Sequence, residues 1–397
     1  MANQEKIKAF FEKSNGILPL IPIFVPRRFG SAGRRLRLHP DDYYALGTKR
    51  GSIKERWFSS VISAMNGADA SPDEGMSYVD MGNGEDSITL KDFVDTLKGE
   101  LIGEGCYQRH GTWPMYSKFF DYEGPLFHHM HLDFDDAARV GKLGKPEAYY
   151  YPPQYNNYPG KFPHTYFGFS PEVTKDQIRE KLANFTKEDT RITDISRAYR
   201  IELGTGWYTA PGVVHAPGSY LTYEPQWNAD VNAVFENITD NEVYGEDFLY
   251  ENVPDELKGN PDSVIDMMDW EKNVDPDYRE HFFRPPVVLA ETADYTEKHV
   301  VYGNPYVEAK ELTVNPGCEI CVPEDTAYGC IVVQGYGKMN DHACATATML
   351  RFGQKSEDEF FVSAKAAKAG VRFVNLSKTE PLVILKHYPS ISEQQNV

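Results

Sequence analysis

Hydrophobic residues follow the period of a helix in only a few stretches of this chain. Residues 4–13 and 90–101 carry apolar side chains at helical spacing, which predicts two helices in the first quarter of the sequence. A third helix is predicted after Ser170-Pro171, with Ser170 as the N-cap and Pro171 in the first turn. A fourth helix is predicted over residues 262–270.

Most of the remaining chain consists of short apolar and aromatic runs separated by Gly, Pro, Asn and Asp, which is typical of strands and turns. Two such β regions stand out, at residues 107–236 and 300–388. We therefore predict a mainly β fold of two jelly-roll barrels, with helices at the N-terminus and between barrel elements. We predict four segments. Residues 1–106 form an N-terminal segment whose helices pack on the first barrel, and residues 107–236 form that barrel. Residues 237–299 form an irregular connection, and residues 300–397 form the second barrel.

The chain is strongly acidic, with 41 Lys and Arg against 59 Asp and Glu and a formal net charge of −18. This field repels phosphate, so we expect neither a nucleic acid nor a membrane as a partner. The apolar run at residues 17–25 is too short to span a bilayer and is broken by two prolines. Five scattered cysteines, with Cys318 and Cys321 interpreted as ordinary thiols, favour a reducing compartment, and the expected location is the cytoplasm.

Three histidines occur within four consecutive positions, and two of them have the spacing of metal ligands. In a strand His129 and His131 share one face, while His128 points to the other. Glu147 lies in a further predicted strand, and His215 follows a Pro-Gly turn where the chain re-enters the sheet. These three imidazoles and one carboxylate are predicted to hold one divalent metal ion. The alternative is a set of buried polar residues that hydrogen bonds satisfy without a metal.

The same residues resemble the metal motif of the cupin superfamily and, more narrowly, the motifs of the type I phosphomannose isomerase family. The family's His-Lys-Pro-Glu signature is similar to Gly144-Lys145-Pro146-Glu147 here. Further matches are Glu55-Arg56-Trp57-Phe58-Ser59-Ser60, Gly124, His129-Met130-His131-Leu132-Asp133, Gly168-Phe169-Ser170-Pro171, residues 211–216, Glu224 and Asp230. The resemblance covers residues 35–237, and more loosely the C-terminal barrel, and it implies a bicupin fold.

The chain departs from the family pattern at three positions. A Gln ligand of the family is replaced by His129, and the Asn-His before Lys-Pro-Glu is Leu143-Gly144. The substrate-binding Arg of the family falls at Val234. Either a phosphate is held differently, or the substrate carries no phosphate. The arginines available for a phosphate are Arg27, Arg28, Arg34 and Arg35, for which the alternative is a solvated basic loop.

The second barrel lacks comparable ligands in its sequence. Glu324-Asp325-Thr326-Ala327-Tyr328 stands where a His-x-His would follow the glycine turn, and the histidines of this barrel are His342 and His387. We therefore expect a second cupin barrel without a metal, with a structural or interfacial role.

The resemblance implies a metal-dependent aldose–ketose isomerase that acts on a sugar or sugar phosphate, as mannose-6-phosphate isomerases do. Zinc is the expected ion, with manganese or iron as alternatives. The candidate catalytic residues are Lys145, which shares a strand face with Glu147, and the carboxylates Glu224 and Asp230. The candidate substrate-binding residues are Arg28, Arg35 and Tyr149.

Two other classes of function remain open. A site of three histidines and one glutamate also suits a manganese or iron oxidase or dioxygenase, because an open position can take dioxygen. A sugar-binding bicupin without catalysis is the other alternative. The tyrosine-rich run at residues 149–158 is interpreted either as a sugar-stacking rim or as a packed surface loop. The expected partner is a small-molecule sugar substrate, and a homodimer is left open.

Overall fold

Strands account for more of the chain than helices, at 32% against 20%, so the predicted mainly β class is confirmed. The structure is a computed structural model that describes residues 2–82 and 87–390. Its strands are β1 (Ile17–Ile21), β2 (Ile23–Arg27), β3 (Ser52–Phe58), β4 (Tyr78–Val79), β5 (Ile88–Thr89), β6 (Met115–Phe120), β7 (His129–Met130), β8 (Glu147–Tyr150), β9 (His164–Phe169), β10 (Ser196–Arg200), β11 (Gly206–Thr209), β12 (His215–Ala216), β13 (Thr222–Trp227), β14 (Ala233–Val234), β15 (Ile238–Thr239), β16 (Glu242–Val243), β17 (Phe283–Arg284), β18 (Val287–Glu291), β19 (Tyr295–Val301), β20 (Val307–Val314), β21 (Glu319–Val322), β22 (Tyr328–Gln334), β23 (Tyr336–Met339), β24 (His342–Ala345), β25 (Glu359–Val362), β26 (Val371–Asn375) and β27 (Leu382–Pro389).

The helices are short and lie mostly before and between the sheets. They are α1 (Ala2–Lys13), α2 (Leu90–Leu97), α3 (Gly99–Ile102), α4 (Glu104–His110), α5 (Phe134–Ala138), α6 (Lys175–Leu182), α7 (Glu246–Leu249), α8 (Asp262–Ile265), α9 (Trp270–Asn273), α10 (Tyr278–Phe282) and α11 (Ala364–Ala369), with single 3₁₀ turns at Pro40–Asp42, Thr48–Arg50, Ile192–Asp194 and Asp255–Leu257. In the part of the chain that the structure describes, no helix has the length and apolar character that crossing a bilayer requires.

Two facing antiparallel sheets form what we call the first sandwich. The larger sheet has the strand order β17-β11-β8-β13-β6-β3-β2, and the smaller has the order β10-β9-β12-β7-β14. Phe167 on β9 and Trp207 on β11 fill the space between the sheets, with ring centroids 5.0 Å apart. The larger sheet takes β2 and β3 from the segment before residue 107, so that segment contributes strands as well as the predicted helices.

The remaining two large sheets form the second sandwich. One has the order β18-β19-β20-β27-β22-β25-β1-β4-β5 and the other the order β21-β26-β23-β24. Leu312, Ile320, Phe373 and Ile384 belong to one buried cluster that joins the two sheets. Two sandwiches in one chain are compatible with the predicted bicupin.

The two sandwiches meet along strands whose two faces are both covered. Every residue of β6, β8 and β13 is buried, including the polar and charged side chains that these strands carry among their aromatic residues. The hydroxyl of Tyr223 on β13 lies 2.7 Å from Nδ1 of His387 on β27, in a buried hydrogen bond. Arg56 on β3 donates hydrogen bonds of 2.9 and 2.7 Å to the two carboxylate oxygens of Asp358. Polar contacts as well as apolar packing therefore join the sandwiches.

The predicted helices are found, but with different ends. The helix predicted over residues 90–101 is divided into α2 and α3, because Lys98 adopts a φ of +52° that a helix cannot continue. The prediction that Ser170 caps the third helix was wrong. Thr174 is the N-cap, and its side chain forms a capping box with Gln177.

The tyrosine-rich run belongs largely to the core and is not a rim. Tyr149, Tyr150, Tyr151 and Tyr155 are buried, whereas Tyr158 is exposed. The sugar-stacking interpretation is therefore wrong for most of the run, because strand β8 carries its first residues between two layers of structure. Only Tyr149 among the four buried rings lines the cavity described below.

Candidate metal centre

Three imidazoles meet between the two sheets of the first sandwich. His129 on β7 and His215 on β12 are register partners, and His131 follows β7 directly. Their ring centroids lie 4.3 Å (His129 to His215), 4.9 Å (His129 to His131) and 5.0 Å (His131 to His215) apart. Across residues 2–82 and 87–390, this is the one group of three His, Cys, Asp or Glu side chains whose ligand atoms lie within 4.8 Å of one another.

Each of the three rings is oriented by a backbone carbonyl. Nδ1 of His129 lies 2.9 Å from the carbonyl oxygen of Phe127, and Nδ1 of His131 lies 2.7 Å from that of Val231. Nδ1 of His215 lies 2.9 Å from the carbonyl oxygen of Val213. A carbonyl can only accept, so each Nδ1 donates its proton, and in a neutral ring this leaves the lone pair on Nε2. This is the arrangement in which histidine binds a metal through Nε2.

Glu147 completes the predicted ligand set. It begins β8, pairs in register with Thr209 of β11, and is fully buried. Its Oε2 lies 3.1 Å from Nε2 of His131, and its Oε1 lies 3.3 Å from Nε2 of His215. The carboxylate therefore faces the same point as the imidazoles. By contrast, His128 faces away, as alternation predicts, and pairs with Glu236 at 2.7 Å.

Lys145 lies directly beside these ligand atoms. Its Nζ is 2.7 Å from Oε2 of Glu147, 3.0 Å from Nε2 of His131 and 3.4 Å from Oε1 of Glu224. Burial acts to lower the pKa of Lys145, but the carboxylates of Glu147, Glu224 and Asp230 raise it above its usual value. The ammonium group therefore stays charged although it is buried.

The chemistry of this cluster fits a divalent cation. Burial and the neighbouring imidazoles hold the pKa of His129 well below its ordinary value, and burial lowers the pKa of His131 to about 4. Both rings are therefore neutral at pH 7, as metal ligands must be. Nε2 of His215 and Oε1 of Glu147 are buried without a hydrogen-bond partner. Because unpartnered buried polar atoms are costly, these atoms, together with the other two imidazoles, are suited to binding zinc or a similar ion.

The two candidate carboxylates near the cluster, Glu224 and Asp230, have pKa values that are shifted in opposite directions. Burial and the negative charge of Glu147 raise the pKa of Glu224 to about 8. Burial would also raise the pKa of Asp230, but Arg27, Lys118 and Lys145 lower it to about 2. Asp230 accepts hydrogen bonds from Arg27 at 3.2 Å and from the backbone N–H of Met65 at 3.1 Å. Carboxylates whose pKa values differ in this way are suited to different roles.

A cavity of about 340 Å³ opens onto the cluster. This volume lies at the small end of ligand pockets, so the cavity suits a small molecule. Of the residues that the sequence singled out as ligands, catalytic residues or substrate contacts, the cavity wall includes Arg28, His129, His131, Lys145, Tyr149, Glu224 and Asp230. Glu147 and His215 lie behind the wall, in contact with its members.

Arg35 is not brought to this cavity. Its guanidinium is buried, donates to Asp121 Oδ1 at 2.9 Å and to the carbonyl oxygen of Ser219 at 2.7 Å, and lies over the ring of Tyr158. It lines a separate cavity of about 480 Å³ together with Arg34. The loop after β2 turns between the two cavities, so the arginine cluster of the sequence is divided between them. The expectation that Arg35 contacts the same substrate as Arg28 is therefore corrected.

Three further residues of the cavity wall form ion pairs within the site. Arg27 on β2, one of the arginines considered for a phosphate, donates two hydrogen bonds, of 3.0 and 3.1 Å, to the carboxylate of Glu55 on β3. Lys118 on β6 is the register partner of Glu224 on β13, and its Nζ lies 3.3 Å from Oε1 of that carboxylate. Sequence signals existed for Arg27, in the arginine cluster, and for Glu55, in the Glu-x-Trp motif at Glu55-Arg56-Trp57. Lys118 was not predicted, because only the pairing of β6 with the distant β13 brings it to the cavity.

Neither a protein-family model nor a curated protein sequence matches the chain. Solved structures do match over most of its length. The mannose 6-phosphate isomerase of Bacillus subtilis is similar with a TM-score of 0.63 and 17% identity, over 94% of this chain and 99% of that one. A phosphomannose isomerase variant from Salmonella typhimurium matches with a TM-score of 0.62 and 11% identity, over 94% and 99% of the chains. A zinc-bound mannose 6-phosphate isomerase matches with a TM-score of 0.62 and 11% identity, over 94% and 100%.

The two sandwiches give the chain a cupin-type fold, and the first of them carries a candidate metal centre. Within that class, the chain has the fold of the mannose-6-phosphate isomerases. The resemblance found in the sequence motifs is thereby confirmed for the fold. At 11 to 17% identity the likeness extends to the fold and does not by itself transfer an activity.

Proposed function

We propose that the protein is a metal-dependent isomerase that interconverts an aldose and a ketose, with a sugar or sugar phosphate as the substrate. One observation carries this proposal: three imidazoles and Glu147 converge at a small cavity that also holds Lys145 and Glu224. Isomerisation moves a proton between two adjacent carbons of the sugar. It therefore needs a group that stabilises negative charge on oxygen and a group that carries the proton.

The ligands proposed for the ion are His129, His131, Glu147 and His215. When bound there, a divalent ion such as zinc, manganese or iron supplies Lewis-acid polarisation of the sugar carbonyl and stabilises the enediolate charge. The protein fixes the geometry of the site through the three carbonyl groups that orient the imidazoles.

We assign the proton transfer to Glu224 on the basis of its position. Its carboxylate lies in the cavity wall between Lys118 and Lys145, at 3.3 and 3.4 Å, and does not belong to the three-histidine cluster. Lys145 is assigned to the sugar oxygens, because its charged ammonium group can donate a hydrogen bond to an oxygen that gains negative charge. Asp230 holds Arg27 in place and has a low pKa, so we now favour a positioning role for it.

The test is direct assay of the purified chain after loading with zinc, manganese or iron(II). Incubation with an aldose and ketose panel, with and without phosphate, should give the isomer, detected by NMR. Glu147→Gln should lose metal affinity and turnover by at least about 100-fold, because it removes the one charged ligand. Glu236→Gln is the matched control, since Glu236 is also a buried partner of a histidine but pairs with His128 on the other strand face.

Other results would favour the alternative functions. Oxygen consumption with a sugar and no isomer formed would identify an oxidase or dioxygenase. Sugar binding without turnover under every metal, with Glu147→Gln changing only thermal stability, would identify a binding protein. Either outcome would overturn the isomerase proposal.

A further inference from the structure

Every Arg and Lys side chain that lines the cavity forms an ion pair with a carboxylate. There are five of them, and each lies within 3.4 Å of a carboxylate oxygen. The pairs are Arg27 with Glu55 and Asp230, Arg28 with Asp69, Arg50 with Glu74, Lys118 with Glu224, and Lys145 with Glu147. Arg27 donates from two nitrogens to the two oxygens of Glu55, which is the geometry that binds a carboxylate most strongly. Arg50 donates from Nη2 to both oxygens of Glu74.

The acidic side chains of the wall are less fully paired. Asp247 and Glu251 line the cavity, and neither forms an ion pair with a residue in the described ranges 2–82 and 87–390. The unpaired charge of the wall is therefore negative.

From this distribution of charge we propose that the substrate is an uncharged sugar and not a phosphate ester; the inference rests on the proposed isomerase function. A phosphate dianion needs several donors that are not already committed. Taking Arg27 from Glu55 would remove both of its charged hydrogen bonds to a buried carboxylate and leave Lys118, 3.9 Å away, as the remaining cation beside it, which is unfavourable. A neutral sugar can instead share hydroxyl hydrogen bonds with the existing pairs and leave each of them intact.

Arg28 is the one cation that a phosphate could recruit at low cost. Its side chain is 59% exposed, and it pairs with Asp69, which is 70% exposed, at 3.4 Å. An exposed pair of this kind is weak in water, so it would yield to a competing anion. Arg28 shares the cavity wall with Asp247 and Glu251, however, so a phosphate bound there would meet two carboxylates. Substitution of Arg28 is therefore the control that shows whether this residue binds a phosphate.

The experiment measures binding of a hexose and of its 6-phosphate to the zinc-loaded protein by calorimetry, with turnover of both followed by NMR. We expect the hexose to bind at least tenfold more tightly than the phosphate ester. Tighter binding of the ester would overturn the inference, and so would failure of the hexose to bind. If the hexose binds preferentially but is not isomerised, the inference stands and the isomerase proposal fails.

Two variants locate the origin of the preference. Asp247→Asn combined with Glu251→Gln should raise the affinity for the ester relative to the hexose by roughly tenfold, because it removes two negative charges beside the bound dianion. Glu246→Gln combined with Glu256→Gln is the matched control, since it removes the same charge from side chains outside the cavity wall and should leave the ratio unchanged. If the natural chain prefers the ester and Arg28→Gln abolishes that preference, Arg28 is a phosphate site and the inference is wrong.

Discussion

Replacing Glu224 with Gln separates proton transfer from metal binding. Gln has the same shape, and Lys145 keeps its partner Glu147 at 2.7 Å, so we expect the fold and the charge of Lys145 to be retained. General acid–base catalysis contributes about 10²- to 10⁴-fold in rate. Turnover should therefore fall by that factor, equivalent to about 3 to 5 kcal/mol in the activation barrier. Zinc affinity should change by less than about threefold, because Glu224 is not among the cluster ligands.

The assay for Glu224→Gln has two parts. Isomerisation in heavy water should place deuterium on the product carbon with the natural protein and at a greatly reduced rate with the variant, while zinc content stays the same. Asp230→Asn is the companion variant, and we expect it to keep turnover within about tenfold because Asp230 is committed to Arg27. Undiminished turnover by Glu224→Gln, or loss of its zinc, would refute the assignment of proton transfer to Glu224.

Further substitutions test the metal site and the stability of the fold. Lys145→Met should tighten zinc binding by about tenfold and reduce turnover, because the ammonium group of Lys145 competes with the ion for one atom each of His131 and Glu147. A titration with a chelator measures the zinc affinity, and Lys118→Met is the control. Burial raises the pKa of Glu359 from about 4.5 to about 8, so the folded state retains a proton that the unfolded state loses. The free energy of unfolding should therefore fall as pH rises between those values, and Glu359→Gln should remove more than about 1 kcal/mol of that dependence. Phe373→Ala should cost about 3 to 5 kcal/mol in urea unfolding, because it empties a fully buried position, whereas the half-exposed Leu376→Ala should cost less than about 0.5 kcal/mol.

Each of these expectations has a contrary result. Weaker zinc binding by Lys145→Met would mean that the lysine supports the ligands instead of competing with them. Identical pH profiles for the natural chain and Glu359→Gln would mean that another group controls the loss of stability as pH rises from about 4.5 to about 8. Equal losses from the Phe373 and Leu376 variants would contradict the packing of the second sandwich.

Local alternation and the sequence motifs together predicted the side chains that converge in the candidate metal centre. His129 and His131 had to share a face if the segment was a strand, and the motifs supplied Glu147 and His215. The fold class also followed from local pattern, because short apolar runs between turn residues dominate the chain. These features depend on neighbours along the sequence, which a sequence shows directly.

The rest of the site depends on pairing between distant strands. Lys118 reaches Glu224 only because β6 pairs with β13, and Arg27 reaches Asp230 across more than two hundred positions of the chain. Arg35 illustrates the opposite case, because a buried partner, Asp121, holds it away from the cavity although it lies close to Arg28 in sequence. No local sequence pattern distinguishes Arg28 from Arg35, so only the structure shows that they line different cavities.

Tyr223 and Glu224 are consecutive residues of β13 that serve different parts of the molecule. Tyr223 bonds to His387 of the second sandwich, while Glu224 lies in the wall of the cavity. The second sandwich thus holds this strand in place, even though it contributes no side chain to the three-histidine cluster. A fragment that ends before residue 300 would lose that support, so the first sandwich alone should not be taken as a minimal catalyst.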